Sequence, residues 1–310
     1  MIANSTKLAA SNGILVRNRD SLERAKDIRI MAFDKTGTLT QGKFGVQDVI
    51  AEGMESEQAL AIAAALETSS EHPLAQAIVE TANQRQLDLP QMQNFQTITG
   101  RGVEGEVNGQ TYRLGRPEWV KEQKLQLPDK LKNALDQADK RGESAVVLMT
   151  AARPVAVISM ADQVRESARK AVDRLKAMDI QTVMITGDAE AVARSVAEDL
   201  GIDRYYARVL PEDKVNRIKE LKQEAPTAFV GDGVNDAAAL LEANMGMAIG
   251  AGTNVAIESA DLVLIEDDPL DAVKALNLAK KTYSKTIQNL VWATGYNVIA
   301  IPLAAGVLSP

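Results

Sequence analysis

The sequence predicts an α/β protein in which a parallel sheet domain carries a smaller inserted α+β domain. Four short apolar runs, each followed within three positions by an acidic residue, indicate the buried strands of the sheet: 28–33, 180–185, 227–230 and 262–265. Apolar residues at helical spacing occur at 168–178 and 192–200, and Gly201 suits the position just after a helix end. Ligands of open parallel sheets bind at the carboxyl ends of the strands, so we expect the acidic residues to converge on one site there.

A stretch of different character, residues 44–159, follows the first of these runs. It contains a helical segment at 57–66 and a second helix that begins near Pro73. Glycine-punctuated, strand-like segments follow: 103–107, 111–114, 145–149 and 155–158. We therefore expect residues 44–159 to form an α+β domain inserted into a sheet domain made of 14–43 and 160–276.

Composition excludes several classes of site. The 310 residues include no Cys and a single His, His72, which removes disulfides, thiolate zinc sites, cysteine nucleophiles and His-rich metal centres. A net charge of −7 argues against a nucleic-acid partner, because such proteins need a basic surface. Carboxylate, hydroxyl, lysine and backbone amide groups remain, and these groups favour phosphate chemistry.

Two glycine-rich stretches match nucleotide-binding motifs by spacing alone. Residues 37–43 have the G-x-x-x-x-G-K spacing of a P-loop, but Phe44 stands where a Ser or Thr would bind Mg²⁺, and no helical pattern follows. Residues 100–105 have the G-x-G-x-x-G spacing of a dinucleotide site, but they precede strand-like residues rather than a helix. The second stretch is therefore either a plain turn or a glycine loop that contacts a nucleotide.

The most informative motif is DKTGTLT at residues 34–40, directly after the first predicted strand. Asp34 is placed as a nucleophile, with Gly37 and the neighbouring Thr hydroxyls and amides available around a phosphoryl group. A lone Asp there more often caps a turn. Two further motifs, TGD at 186–188 and GDGVND at 231–236, follow in order. Together the three motifs resemble those of the P-type ATPases, members of the haloacid dehalogenase superfamily.

The resemblance implies a role for each motif residue. Asp34 would take the γ-phosphate of ATP as an aspartyl phosphate, and Asp34, Asp232 and the backbone carbonyl of Thr36 would hold Mg²⁺. Thr186 and Lys214 would contact the phosphoryl oxygens; for Lys214, a plain surface lysine is the alternative. The remaining catalytic positions are Lys35, Gly187, Asp188, Asn235 and Asp236.

Thr36 separates two kinds of enzyme within the superfamily. Phosphatases of this fold keep an Asp two residues after the nucleophile as a general acid and base, whereas a Thr cannot relay a proton in that way. Thr36 therefore favours the long-lived phosphoenzyme of a pump. The alternatives are a haloacid dehalogenase-type phosphatase with a cap domain and a non-catalytic metal-binding or scaffold fragment.

Residues 69–75, SSEHPLA, resemble the SEHP nucleotide-binding motif of type IB, the heavy-metal P-type ATPases. The resemblance implies that Glu71 faces the adenine edge of ATP and that His72 stacks or hydrogen-bonds beside it. A His that only caps a helix is the alternative. The same site would include Gly100, Gly102 and Gly115.

The C-terminal residues 287–310 carry no charge and are mostly apolar for about 24 positions, enough to cross a bilayer as a helix. A buried amphipathic helix is the alternative. Tyr296, Asn297 and Pro302 match the YNxxxxP pattern of the seventh membrane helix of the copper-transporting subgroup, which implies that Tyr296 and Asn297 ligate transported copper. The sequence leaves Cu⁺ and Cu²⁺ open.

The resemblance implies the catalytic portion of a copper pump at the cell membrane, with both folded domains on the cytoplasmic side. Residues 1–13 would extend a preceding membrane helix, and 277–310 would form a linker and a transmembrane helix. The expected partners are ATP, Mg²⁺, copper and the lipid bilayer, together with an actuator domain and upstream membrane helices outside this chain.

Overall fold

A computed structural model describes residues 13–232, 234–250 and 254–304. The chain divides into two compact units. Among the described residues, unit 1 comprises those from 13 to Leu39, Arg165–Gly187 and those from Asp199 to 304. Unit 2 comprises Thr40–Val164 and Asp188–Glu198.

The described strands, in chain order, are β1 (Ile14–Val16), β2 (Ile30–Asp34), β3 (Thr40–Ala51), β4 (Met92–Ile98), β5 (Gly102–Val107), β6 (Gln110–Gly115), β7 (Ser144–Thr150), β8 (Pro154–Val164), β9 (Gln181–Ile185), β10 (Arg204–Tyr206), β11 (Thr227–Gly231), β12 (Met245–Ile249) and β13 (Leu262–Leu264).

The described α-helices are α1 (Arg19–Arg24), α2 (Ser56–Glu67), α3 (Pro73–Gln84), α4 (Pro117–Glu122), α5 (Asp129–Arg141), α6 (Glu166–Lys176), α7 (Glu190–Leu200), α8 (Pro211–Glu224), α9 (Ala237–Glu242), α10 (Asn254–Ser259) and α11 (Leu270–Ala304). Short 3-10 turns lie at Ala25–Asp27 and Val234–Asp236.

Unit 1 is built on a sheet with the strand order β1-β13-β12-β11-β2-β9-β10, in which only β1 runs antiparallel to its neighbour. Every residue of β2 and β11 is buried, as expected of central strands covered on both faces. Ile218 and Leu221 of α8 and Leu240 of α9 belong to the apolar core that covers this sheet. The predicted parallel α/β sheet is therefore confirmed.

The register of the central strands decides where their polar ends lie. Asp34, the last residue of β2, pairs with Ile185 of β9, and Phe33 pairs with Val230 of β11. Because the strands are parallel, the residues that follow β9 and β11 emerge at the same edge of the sheet as Asp34.

Unit 2 is an antiparallel sheet, in the order β3-β8-β7-β6-β5-β4, that lies between two pairs of helices. Side chains of β7 alternate between the two faces: Leu148 packs in the core with α2 and α3, whereas Val147 and Met149 pack with Trp119 and Leu131 from α4 and α5. The unit is therefore an α+β domain with helices on both faces.

Some elements differ from the sequence prediction. Strand β12 was not predicted, because its sequence MGMAI lacks β-branched residues except at its end. Its Gly246 lets the strand approach α9, since a Cβ there would lie 2.3 Å from the carbonyl oxygen of Leu240. The segment Asp188–Glu198 groups with unit 2 and not with the predicted sheet domain. Within unit 2, Val192 of this segment packs directly against Gly142. The predicted domain limits remain a prediction.

The C-terminal helix α11 does not reproduce the membrane span expected over 287–310. Within the described part of the chain, no helix combines the length and the apolarity needed to cross a membrane. Gln288, Asn289 and Asn297 lower the apolarity of the described part of this segment. Residues 305–310, the rest of the expected span, lie outside the described residues.

Candidate active site

Three carboxylates meet at the carboxyl edge of the unit 1 sheet. Asp34 ends β2, Asp232 follows β11, and Asp236 lies in the short turn after it. Oxygen atoms of these three side chains lie within 4.8 Å of one another. Asp34 and Asp236 are buried and Asp232 is half-buried. The sheet topology thus gathers acidic residues that are about 200 positions apart in the sequence.

Helix α8 brings a single lysine into this cluster. The helix begins at Pro211, with Glu212 and Asp213 in its first turn, as suits a helix N-terminus. One turn further on, the Nζ atom of Lys214 donates hydrogen bonds to Oδ1 of Asp34 at 2.5 Å and to Oδ1 of Asp236 at 2.7 Å. Lys214 is only 7% exposed, so it is a buried bridging cation and not a surface lysine.

Negative charge exceeds positive charge within this cluster. Burial, then the neighbouring Asp236, raise the pKa of Asp34 to about 7 against the opposing effect of Lys214. Burial and Asp236 also raise the pKa of Asp232. Burial lowers the pKa of Lys214, but Asp34 and Asp236 more than offset this, and its pKa is raised overall. The site therefore favours an added cation.

A tight turn after β2 sets the approach of Asp232 to Asp34. We call residues 34–39 the Asp34 loop. Thr36 (φ −73°, ψ 130°) and Gly37 (φ 75°, ψ −19°) have the dihedral angles of a type II turn, which requires a positive φ at its second central residue. A Cβ atom on Gly37 would lie 1.9 Å from Oδ2 of Asp232. Glycine is thus required at position 37 both by the turn and by the carboxylate against it.

The donor set fits Mg²⁺. The Asp34 and Asp232 carboxylates supply the hard oxygen ligands that this ion prefers, within a site whose net charge is negative. The Thr36 carbonyl belongs to the turn that contacts Asp232. These are the three groups that the sequence resemblance implied.

The remaining motif residues differ in burial and in the unit to which they belong. Thr186 is buried directly after β9; its amide donates to the Tyr206 carbonyl at 2.9 Å and its carbonyl accepts from the Val209 amide at 3.0 Å. Gly187 follows it, whereas Asp188 belongs to unit 2. Lys35 is buried and Asn235 is exposed.

The predicted nucleotide residues all belong to unit 2. His72 is the N-cap of α3, and its Nδ1 atom accepts a hydrogen bond from the Leu74 amide at 3.2 Å. His72 therefore does cap the helix, as the sequence left open. The cap uses Nδ1, so the other ring nitrogen, Nε2, takes no part in this bond. Glu71 and His72 are both exposed.

The three glycines have structural reasons to be glycine. Gly100 has a φ of +72° in the turn before β5. Gly102 and Gly115 face each other across β5 and β6, where a Cβ on Gly102 would lie 2.0 Å from the Leu114 carbonyl oxygen. A Cβ on Gly115 would lie 2.3 Å from the Arg101 carbonyl oxygen. This close backbone packing needs no ligand to explain it.

Glu67 is a candidate that the motifs did not reveal. It ends α2 and is half-buried; burial raises the pKa of its carboxyl group, while a hydrogen bond with Ser70 and the nearby His72 oppose the shift. Glu67 lies five residues before His72 but outside the SEHP motif, so no motif position marks it. The other predicted ligands, Tyr296 and Asn297, lie on α11 with exposed side chains.

The fold and the acidic cluster define the class of protein. The model of the haloacid dehalogenase-like hydrolase family matches residues 28–244, which include Asp34, Lys214 and both further carboxylates, and the chain belongs to this family.

Several relatives of this chain are named as metal-transporting P-type ATPases. The chain is 48% identical over 308 residues to the "Copper-exporting P-type ATPase B" of Archaeoglobus fulgidus, covering 99% of this chain and 44% of that protein. A crystal structure of a zinc-transporting PIB-type ATPase in an E2.Pi state matches 98% of this chain and 50% of that one, with a TM-score of 0.87 and 33% identity. The catalytic domain of the CPx-ATPase CopB-B matches 89% of this chain and 98% of that one, with a TM-score of 0.60 and 28% identity.

These findings confirm the resemblance to type IB P-type ATPases. The chain spans about half the length of the zinc-transporting protein and less than half that of the copper-exporting one.

Proposed function

We propose that this chain is the catalytic portion of an ATP-driven copper-exporting P-type ATPase, which phosphorylates Asp34 and hydrolyses the aspartyl phosphate to power export. One observation carries this proposal: Asp34 ends a central strand, is hydrogen-bonded to the buried Lys214, and lies beside two further carboxylates. The copper-exporting relative supports the choice of reaction.

The first chemical step uses Asp34 as nucleophile. A carboxylate oxygen of Asp34 bonds to the γ-phosphorus of ATP as the bond to the bridging oxygen breaks, and ADP leaves with that oxygen and its electron pair. Lys214, already within 2.5 Å of the Asp34 carboxylate, would offset charge on the phosphoryl oxygens. Thr186, at the same edge, and Asn235 with Asp236 would complete the hydrogen bonding.

Asp34, Asp232 and the Thr36 carbonyl would hold Mg²⁺. When bound, the ion supplies positive charge that neutralises the transferred phosphoryl group. The excess of negative charge among the buried carboxylates supports this assignment, since a divalent cation would balance it.

Thr36 favours a pump over a phosphatase. A haloacid dehalogenase-type phosphatase needs a carboxyl group at this position to activate water, and a threonine hydroxyl does not titrate in the useful range. The aspartyl phosphate formed by this chain alone should therefore be long-lived, and its hydrolysis would depend on groups outside the chain.

ATP binding belongs to unit 2 in this proposal. Glu71 and His72 would contact adenine, and Gly100, Gly102 and Gly115 would let the nucleotide approach the backbone. The exposure of His72 and the half-buried Glu67 beside it support a ligand site there, although the glycines also have packing reasons.

Copper as the transported ion rests on two observations of different kinds. Tyr296 and Asn297, with Pro302, carry the subgroup pattern, and the relative from Archaeoglobus fulgidus is named as copper-exporting. The name of the structural relative specifies zinc, so zinc is the competing cargo. We propose a location at the cell membrane, with both units on the cytoplasmic side; the exposed apolar side chains of α11, such as Leu290 and Trp292, support contact with lipid.

The test compares two substrates. Incubated with γ-labelled ATP and Mg²⁺, the chain should form an acid-stable, hydroxylamine-labile phosphoprotein, whereas a generic phosphomonoester should be hydrolysed slowly or not at all. Rapid turnover of the phosphomonoester without accumulated label would favour the phosphatase. No label from ATP and no phosphomonoester turnover would favour a non-catalytic fragment.

A further inference from the structure

Arg165 joins two loops at the active-site edge of the unit 1 sheet. Its Nη2 atom donates to the Gly37 carbonyl at 3.1 Å and to Oδ2 of Asp267 at 2.7 Å, and its Nη1 atom donates to the Asp267 carbonyl at 2.8 Å. Its backbone amide also donates to the Leu39 carbonyl at 3.0 Å. Arg165 therefore holds the Asp34 loop at two points and ties it to the loop after β13.

The anchored carbonyl occupies a sensitive position in that loop. Gly37 is the residue of the type II turn that requires a positive φ, and its Cα packs so closely on the Asp232 carboxylate that a Cβ there would overlap Oδ2. The Thr36 carbonyl lies in the peptide just before Gly37. Rotation of the Gly37 peptide would thus disturb both the Thr36 carbonyl and the contact with Asp232.

The Arg165 side chain has the burial and the geometry of a rigid support. It is only 15% exposed, and its planar guanidinium bonds one carboxylate and two backbone carbonyls at once. A lysine ammonium on a flexible stem cannot present the same fixed planar array of donors to these three acceptors.

We infer that Arg165 is a positioning residue for phosphoryl transfer at Asp34: it holds Gly37, and through it the Thr36 carbonyl and the Asp232 carboxylate, in the arrangement that binds Mg²⁺. The role of Arg165 in phosphoryl transfer rests on the proposed function. Its role in holding the Asp34 loop rests on its contacts with Gly37, Leu39 and Asp267.

Arg169 provides a matched control. It lies in α6, the helix that begins directly after Arg165, and its guanidinium makes the same kinds of bond, to the Asp199 side chain at 2.8 Å and to the Asp199 carbonyl. Arg165→Gln and Arg169→Gln each remove an arginine–aspartate pair of the same bonding pattern, although Arg169 is the more exposed of the two arginines. Only Arg165 also bonds the Asp34 loop.

The first assay measures Mg²⁺ binding without ATP, as the rise in melting temperature of the full chain with Mg²⁺ concentration. The second assay measures phosphoenzyme formation as a function of Mg²⁺ concentration and, separately, of ATP concentration. Arg165→Gln should raise the Mg²⁺ concentration for half-maximal effect about tenfold in both assays, the scale of a lost outer-shell partner. Its ATP concentration for half-maximal labelling should stay within about twofold of wild type, because the proposed nucleotide residues are elsewhere. Arg165→Lys should resemble Arg165→Gln, and Arg169→Gln should resemble wild type.

Equal Mg²⁺ midpoints in wild type, Arg165→Gln and Arg169→Gln would overturn the inference, even if Arg165→Gln melted at a lower temperature. Recovery of the wild-type Mg²⁺ midpoint by Arg165→Lys would also contradict it, since the planar geometry would then be unnecessary. A wild-type chain that binds Mg²⁺ but takes no label from ATP would count against the proposed function alone, and the thermal assay would still decide the role of Arg165.

Discussion

At the scale of single residues, Lys214 is the group on which the buried charges depend. Asp34 and Asp236 both accept hydrogen bonds from its ammonium group, and all three side chains are at least nine-tenths buried. Removal of the lysine would leave carboxylates in a poorly solvated site without their cation.

We therefore expect Lys214→Met to lower the free energy of unfolding by about 3–5 kcal/mol at pH 8, the usual cost of leaving a buried charge unpaired. Chemical denaturation of the metal-free chain measures it. Lys222→Met, on the same helix, is the control, because Lys222 pairs with Glu242 in a more exposed place and should cost about 1 kcal/mol or less. Equal losses from the two substitutions would show that the Lys214 bridge has no special role.

The raised pKa of Asp34 predicts how the stability of the chain depends on pH. Its pKa of about 7 in the folded chain exceeds the ordinary value of 3.8, so the folded state holds a proton that the unfolded state releases between these values. The contribution of Asp34 to stability is fully present below about pH 4 and is lost as the pH rises through about 7. Asp34→Asn mimics the protonated group at every pH. Its free energy of unfolding, relative to that of wild type, should therefore rise as the pH is raised from 5 to 8.

Urea denaturation at the two pH values, without metal, measures this difference. Addition of Mg²⁺ should reduce it, since the ion favours the ionised carboxylate of Asp34. A constant difference between Asp34→Asn and wild type across this range would contradict the assigned pKa. Asp199→Asn, at a surface pair with Arg169, serves as the control for a general loss of negative charge.

At the scale of elements, the first turn of α3 depends on His72, which is also the residue predicted to contact adenine. His72 caps this helix through Nδ1, and the sequence motif predicts that it also contacts adenine. A substitution that removes only the ring separates the two roles.

We expect His72→Ser to keep the cap, because a serine hydroxyl accepts from the same region of the helix N-terminus, and to weaken ATP binding by about 1–2 kcal/mol. His72→Ala should lose both the cap and the nucleotide contact. Calorimetric titration with ATP and thermal unfolding together measure the two effects. Full ATP affinity in His72→Ser, with weakened binding in His72→Ala, would assign His72 to the helix cap alone.

The elements also show how far the sequence could predict this molecule. Strands covered on both faces form continuous apolar runs, so β2, β9, β11 and β13 were predicted within one or two residues, and the acidic residues after them were expected to meet. Arg165 was not found, because its contact with Gly37 joins residues 128 positions apart and is set by strand register. Glu67 was not found, because it lies just outside the SEHP motif and only its burial beside His72 marks it.

At the scale of the whole molecule, the described residues include the proposed phosphorylation site but offer poor ligands for copper. Tyr296 and Asn297 offer neutral oxygen and amide donors with exposed side chains on α11, and the sequence has no Cys. A soft ion such as Cu⁺ prefers thiolate or thioether ligands. Copper transport would thus need ligands from other parts of a larger protein.

The 310-residue chain should therefore hydrolyse ATP slowly and at a rate that does not respond to buffered Cu⁺ or Cu²⁺. ATP turnover measured across a range of free copper concentrations tests this, with the Tyr296→Phe/Asn297→Ala double variant as control. Copper stimulation that disappears in the double variant would mean that these two residues already belong to a coupled site within this chain.

The central claim, that Asp34 carries the phosphoryl group, is tested most directly by locating the modified residue. Borohydride reduces an aspartyl phosphate to homoserine, which mass spectrometry of the digested protein can assign to one position. After incubation with ATP and Mg²⁺, we expect homoserine at position 34, and none in a sample without ATP or in Asp34→Asn. Homoserine at another acidic position, or a labelled wild-type chain with Asp34 unmodified, would contradict the account.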